Sequence, residues 1–318
     1  MKKNCICAVV VTFNRKVLLK NTLDQLVSQT ENIDKIFLID NASSDDTKFM
    51  LESEGFLDRD DISYHLLENN TGGAGGFYEG MKRAFEYGAD WIWLMDDDGY
   101  PESKECLKEL LKACSDFDVF GPLVLSNEKN GETAFPFVIK NYSGIIDDRE
   151  KARDFSEKRK DYSFIPDSLC PFNGVLVSRE VVEKVGLPKP ELFIWGDEMN
   201  YWMRCVNANF RIATITSCYF LHPQAESNSV KTFFGSKYFD DPPSPLKLYC
   251  YCRNHIYNVK TLKSRKYIIT FSFKTVWFYT FTRPSFKKLK ISLRSLKDGY
   301  TSNFNNHSYY IGKNFDDF

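Results

Sequence analysis

Apolar and polar positions follow two periods along roughly the first 220 residues. The runs Cys5–Thr12, Lys35–Asp40, Ile62–Leu67 and Trp91–Met95 are nearly continuous, which predicts buried strands. Between them, Lys16–Gln29 spaces Val17, Leu18, Leu19, Leu23, Leu26 and Val27 at helical intervals. Ser44 to Leu51 predicts a capped helix start with Asp45 and Asp46 in its first turn. Gly75–Tyr87 and Ser103–Cys114 predict further helices, with a short strand near Phe117–Phe120. Strand–helix alternation at this spacing predicts an α/β fold: a mostly parallel sheet with helices on both faces.

The pattern loosens in the middle. Asn141–Ser163 is charged and predicts a solvated loop or helix. Asn173–Ser178 predicts a strand, Asp197–Asn207 a helix, and Arg211–Leu221 a strand or two. Pro223–Pro245 is polar and contains Pro242, Pro243 and Pro245, so a boundary is expected there. Residues 1–225 then form one domain, and residues 226–318 a helical C-terminal region.

Composition sharpens this division. The chain has 318 residues, 43% hydrophobic, which excludes a disordered protein. Its net charge of −1 conceals an asymmetry: from Pro242 to Lys297 there are thirteen Lys or Arg and no acid. An acidic body thus precedes a basic one. Tyr267–Thr282 adds Phe271, Phe273, Trp277, Phe278 and Phe281, which together supply an apolar aromatic surface. Residues 260–297 suit a peripheral helix on an anionic membrane, or an appendage packed on the first domain. No nucleic-acid recognition module is visible. The nine cysteines are odd in number and too sparse for a disulfide framework. Cys250 and Cys252 lack the second pair that a zinc site needs. The N-terminal apolar run is short and reads as a strand, and no run reaches the ~20 apolar residues of a membrane span. A cytosolic or cytosol-facing protein is expected.

Four features carry chemistry. Asp96-Asp97-Asp98 follows a strand directly, where open α/β sheets bind ligands. Three adjacent carboxylates repel unless a cation compensates them, and oxygen donors suit Mg²⁺ or Mn²⁺ shared with phosphates. Asn70 to Phe77 places four glycines between a strand and a helix, which lets backbone approach an anion. It lacks the Lys of a Walker loop. Asp197-Glu198 opens a helix after an aromatic run and offers either a dipole complement or a general base. His222 closes an apolar run and gains weight beside an acidic metal site.

Taken in order, these pieces resemble family 2 glycosyltransferases of the Rossmann-like GT-A fold. Val9 to Arg15 resembles the first strand and nucleotide loop of that family. Asp40-Asn41-Ala42-Ser43-Ser44-Asp45 is similar to its second nucleotide element. Asp96-Asp97-Asp98 resembles its metal motif, and Asp197-Glu198 its acidic pair. The resemblance spans about residues 5–225. It implies that Thr12, Asn14, Arg15, Asp40, Asn41, Asn70, Gly72, Gly73, Asp96 and Asp97 handle the nucleotide sugar. It implies Asp96, Asp98 and His222 as ligands of Mn²⁺ or Mg²⁺, and Glu198 as base with Asp197 beside it. Trp195 and Asn200 would meet the acceptor.

Asn70–Phe77, the triple Asp and Phe193–Arg204 resemble the galactofuranosyltransferase branch more narrowly. Tyr249, Tyr251, Arg253 and Asn254, then Lys297-Asp298-Gly299, resemble C-terminal elements shared with rhamnosyltransferases. One departure is Asn200, where galactofuranosyl members often carry a third acid. The implied donor is UDP-galactofuranose, with dTDP-rhamnose second. The implied acceptor is a glycan or polyprenyl-diphosphate-linked sugar in cell-surface polysaccharide synthesis, at the cytosolic face of the plasma membrane. A non-catalytic carbohydrate-binding protein and a sugar-phosphate nucleotidyltransferase are the rivals. The first is disfavoured by both acid motifs, the second by the absence of a basic Gly-rich loop.

Overall fold

The computed structural model describes residues 4–137, 145–168, 172–224, 228–235 and 237–318. Its strands and helices run β1 (Ile6–Thr12), α1 (Lys16–Val27), β2 (Lys35–Asp40), α2 (Thr47–Ser53), β3 (Ile62–Leu66), α3 (Gly72–Tyr87), β4 (Trp91–Asp96), β5 (Tyr100–Pro101), α4 (Cys106–Leu111) and β6 (Val119–Ser126). There follow β7 (Glu132–Phe137), β8 (Ile146–Asp148), α5 (Arg149–Asp154), β9 (Glu157–Lys158), β10 (Ser163–Pro166), β11 (Val175–Ser178), α6 (Arg179–Val185), α7 (Asp197–Asn207) and β12 (Ile212–His222). The hairpin β13 (Ser229–Thr232) and β14 (Lys237–Asp240) precedes α8 (Pro245–Leu262), α9 (Arg265–Trp277) and α10 (Phe286–Thr301).

The chain divides into two units. One is Met1–Pro188 with Arg204–Ala225; the other is Lys189–Met203 with Glu226–Phe318. In the first, the sheet runs β3-β2-β1-β4-β11-β6-β12-β10-β9. Strands β3, β2, β1 and β4 are parallel, which aligns their C-terminal ends along one edge. Strand β11 is antiparallel to both neighbours, β4 and β6. All seven residues of β1 are buried, as its unbroken apolar run requires. Strand β6 extends well past Phe120 to Ser126: Gly121 and Pro122 interrupt the apolar pattern, and the pairing with β12 resumes at Leu123 after an irregularity between Ile215 and Tyr219.

Two expected helix starts shift. Helix α2 begins at Thr47, so Asp45 and Asp46 lie outside its first turn. Asp45 instead accepts the Lys16 backbone N–H at 3.0 Å and the Thr47 hydroxyl at 2.5 Å. Helix α3 begins at Gly72 and takes three more of the glycines into its own first turns. A Cβ on Gly76 would stand 2.4 Å from Val11 Cγ1, and one on Gly80 would stand 2.2 Å from Val9 Cγ1. These two glycines therefore let α3 lie against β1, and packing accounts for part of the glycine-rich signal.

The second unit has its own core: Phe193, Phe239, Leu248, Tyr249, Ile256, Phe271, Phe278, Tyr279, Ile291 and Tyr310 are all buried in it. The aromatics of 267–282 do not form one surface. Phe271 and Phe278, seven residues apart, turn into this core, whereas Phe273 and Phe281 are exposed. Two helical turns separate the first pair, so the segment shows one face to a core and another outward. No helix among the described residues is long and apolar enough to cross a membrane. The charged stretch 141–163 holds β8, α5 and β9, with residues 138–144 outside the described ones.

Lys189–Met203 belongs with residues beyond 226, although the boundary was expected only near 225. The reason is a set of hydrogen bonds from α8. Asn254 Nδ2 donates to the carbonyls of Leu192, Ile194 and Trp195 at 2.9, 2.9 and 2.7 Å. Asn258 Nδ2 donates to Gly196 O at 2.8 Å, and the fully buried Arg253 donates to Leu192 O at 2.7 Å.

Candidate active site

The three adjacent aspartates at the end of β4 have different surroundings. Asp96 closes the strand, in register with Val11. Asp97 is buried and ties down the loop after β1: its Oδ2 accepts the Thr12 hydroxyl at 2.7 Å and the Phe13 N–H at 3.3 Å. Arg15 Nη1 donates to Asp97 Oδ1 at 3.1 Å and to Asp98 Oδ2 at 2.5 Å. The guanidinium thus offsets the repulsion that the triple acid would otherwise suffer. Burial still pushes the Asp97 carboxyl up to about 6, against Arg15 and Thr12, which pull it down. At Asp98 burial also raises, but His222 and then Arg15 outweigh it and hold the carboxyl below its ordinary value.

His222, at the end of β12, meets Asp98 with Nε2 3.1 Å from Oδ1. Its Nδ1 lies 2.6 Å from Pro223 O, which can only accept, so Nδ1 carries the proton. In the neutral ring Nε2 then has a bare lone pair facing a carboxylate oxygen. That oxygen is buried and, among the described residues, has no hydrogen-bond donor. A ring lone pair and a carboxylate oxygen held this close with no hydrogen bond between them favour a shared cation. Adjacent ligands of an octahedral ion at about 2.1 Å lie about 3 Å apart, so the pair suits Mg²⁺ or Mn²⁺. Among the described residues no three His, Cys, Asp or Glu side chains gather into a cage. A two-donor set is the pattern of a cation completed by substrate phosphates and water.

The remaining residues expected at the nucleotide build the loops around the strand ends. Asn14 sits at φ 54, its N–H bonded to Ser43 Oγ at 2.9 Å and its Oδ1 to Ser44 N–H at 2.7 Å. It joins the β1 and β2 loops. Asp40 is buried and accepts Ser43 N–H and the Tyr64 hydroxyl, both at 2.8 Å. Asn41 Nδ2 donates to Gly72 O at 2.7 Å, while its Oδ1 accepts Thr71 N–H at 2.8 Å. Asn70 Oδ1 accepts Gly72 N–H at 2.8 Å. Gly73 leaves open space around its missing Cβ. A depression of about 410 Å³ opens at the ends of β2 and β3, lined among others by Asp40, Ser43, Ser44, Thr47, Tyr64 and Leu66. Tyr64 was not expected in this group; its place in β3, opposite Leu38 of β2, puts it there.

Asp197 and Glu198 begin α7 in the second unit. Asp197 is buried, and burial pushes its carboxyl up to about 6 despite the backbone N–H groups of Asp197 and Glu198, which favour the charged form. The turn before the pair is strained: Phe193 and Trp195 have φ of 66 and 59, which non-glycine residues rarely adopt. The α8 amides and Arg253 described above hold that turn. Asn200 is buried, and its Nδ2 donates to Asn258 Oδ1 at 2.8 Å, so its amide helps complete the same network. Trp195 stands edge-on to Tyr251 and beneath Lys247 Nζ. The sequence signal for this bracket was the pair Asn254 and Asn258, four apart on one helix face.

Comparison with known proteins bears on the family and the fold. The galactofuranosyltransferase GlfT1 of Mycolicibacterium smegmatis is 29% identical over 306 residues, covering 94% of this chain and 97% of that protein. The dTDP-rhamnosyl transferase RfbF of Shigella flexneri is 27% identical over 221 residues, 68% of each chain. A crystal structure of GalNAc-T7 with UDP, GalNAc and Mn²⁺ shares the fold, with a TM-score of 0.59 at 12% identity over 98% of this chain and 58% of that one. Residues 7–186 match the model of glycosyl transferase family 2. The chain is therefore a glycosyltransferase of GT-A fold that belongs to glycosyl transferase family 2.

Proposed function

We propose that this enzyme transfers galactofuranose from UDP-galactofuranose, with inversion, to a hydroxyl of a glycan or polyprenyl-diphosphate-linked acceptor. The observation that carries the donor is the end-to-end likeness to a galactofuranosyltransferase. The rhamnosyl reading stands second, since its relative matches only 68% of the chain.

In this reading the depression beside Asp40 and Tyr64 receives the nucleoside, and Arg15, already drawn to carboxylates, turns to the diphosphate. Asp98 and His222 would hold the divalent cation, with Asp96 on the ribose side; when bound, the cation supplies charge neutralisation to the leaving diphosphate. Glu198 accepts the proton of the acceptor hydroxyl as that oxygen bonds to the anomeric carbon. The bond from that carbon to the diphosphate oxygen breaks, and its electron pair leaves with UDP. Displacement from the opposite face inverts the centre. Burial keeps Asp197 protonated into the mildly acidic range, which limits the repulsion that a second full charge would impose on Glu198. The basic C-terminal unit holds the enzyme at the cytosolic membrane face, where a lipid-linked acceptor is found.

The test is incubation with UDP-galactofuranose, dTDP-rhamnose and other nucleotide sugars, with nucleotide release and acceptor mass as readouts. Glu198→Gln should lose transfer while keeping UDP affinity. Full transfer by that variant would refute the base assignment, and preferential use of dTDP-rhamnose would refute the donor.

A further inference from the structure

We propose that the tip of the β13–β14 hairpin, together with the outward row of α9, forms a wedge that enters an anionic lipid bilayer. The wedge relies on the function proposed above only for its purpose, to bring the enzyme to a lipid-linked acceptor.

The hairpin tip carries Phe233 and Phe234, both with left-handed φ, at 50 and 56. Such backbone is unfavourable for residues with a Cβ. The turn adopts it and presents Phe234 wholly to solvent. Phe233 lies on Phe273 and Trp277, with ring centroids 5.9 and 5.1 Å away. Trp277 in turn meets Phe281 at 4.7 Å. Ile269, Phe273, Trp277 and Phe281 recur every four residues, so they share one side of α9 and the turn after it. The opposite side, Phe271, Thr275, Phe278 and Tyr279, is buried in the core. The outward row is therefore not a misplaced core face, and its rings are continuous with the hairpin tip.

Basic residues border this strip. Lys231 and Lys237 belong to the hairpin, Lys274 to α9, Arg265 and Lys266 to the start of that helix, and Lys263 to the end of α8 just before it. Lys274 Nζ donates to Tyr238 O at 3.1 Å, which joins the helix to the hairpin. Among the described residues, Lys263, Arg265 and Lys266 form no ion pair, and no acid lies between Pro242 and Lys297. Aromatic rings beside six cations and one acid, Asp240, fit acyl chains beneath anionic headgroups. They fit a protein partner or a second copy less well, because Asp240 is the one acid in β13, β14 and α9 to meet another copy's lysines. The sequence pointed to 260–297 alone; the hairpin adds the fully exposed Phe234.

The full chain should sediment with vesicles of 30% phosphatidylglycerol in phosphatidylcholine and bind pure phosphatidylcholine at least tenfold more weakly. Raising NaCl from 50 to 500 mM should release it. Phe234→Ser touches no core contact and should weaken vesicle binding about tenfold at unchanged thermal midpoint; Phe234→Ser with Phe281→Ser should abolish it. Lys263→Glu with Lys266→Glu should weaken binding to anionic vesicles only. Unchanged binding by the Phe variants, or no binding by the parent protein, would overturn the proposal. So would a concentration-dependent dimer that Phe234→Ser dissociates. Vesicle binding requires no sugar transfer: a protein that binds vesicles but transfers no sugar refutes the enzymatic reading alone, and an active enzyme that ignores vesicles refutes the wedge alone.

Discussion

Replacing Asn254 by Ala tests what holds the turn ahead of Asp197 and Glu198. The Asn254 side chain is buried, its Nδ2 faces three carbonyls, and its Oδ1 accepts Arg253 Nε at 2.9 Å. Two amide hydrogens and one acceptor give about three bonds, each with a net value of about 1 kcal/mol. Groups left buried without partners add about 1 kcal/mol or more each. The turn also holds Phe193 and Trp195 at positive φ and relaxes once released. Asn254→Ala should therefore lower the opening free energy of residues 192–198 by about 3 kcal/mol or more, roughly a hundredfold faster amide exchange. Asn254→Asp should not rescue it, since a carboxylate oxygen would then face the carbonyls that the amide now satisfies. Hydrogen exchange read by mass spectrometry on peptides covering 190–200 is the assay. Unchanged exchange in Asn254→Ala, or full recovery in Asn254→Asp, would refute the reasoning.

Three further outcomes are expected. Asp197 binds its proton more tightly folded than unfolded, so its stabilising contribution is complete below about pH 4 and lost as pH rises through about 6. Asp197→Asn removes that loss and should gain about 3 kcal/mol relative to the parent between pH 4 and 7.5 in urea unfolding; a constant difference would contradict the buried-acid reading. Gly76→Ala should cost about 1–3 kcal/mol, because its new methyl meets Val11, and calorimetry should show the lower midpoint. Arg15→Gln leaves Asp97 and Asp98 without their internal cation, so Mn²⁺ should raise its thermal midpoint more than that of the parent; equal responses would exclude competition for those carboxylates.

Much of the sheet can be read directly from sequence, since a buried parallel strand is a short uninterrupted apolar run and β1, β2 and β4 are such runs. The placement of Asp96–Asp98 at a strand end follows from the same pattern. The division of labour among them does not. Asp97 is bound by Thr12, 85 residues away, and Asp98 by His222, and no local period encodes either pairing. The glycine-rich turn misleads for a related reason: a glycine that meets another strand and one that meets an anion look alike in sequence, and only the position of Val11 tells them apart. Phe271 and Phe273 differ in fate for want of one fact, which side of α9 the core occupies.

The way the chain alternates between its two units bears on how such enzymes can be rebuilt. Residues 189–203 leave the first unit and residues 204–225 return to it, so the chain changes unit inside α7. A single cut near residue 225 would strip 189–203 of Arg253, Asn254 and Asn258 and leave the acid pair on an unsupported turn. The C-terminal unit therefore cannot be exchanged between relatives as a tail. A functional chimera must move two separate stretches of gene together, and substitutions in α8 are inherited under the constraint of a turn some sixty residues earlier.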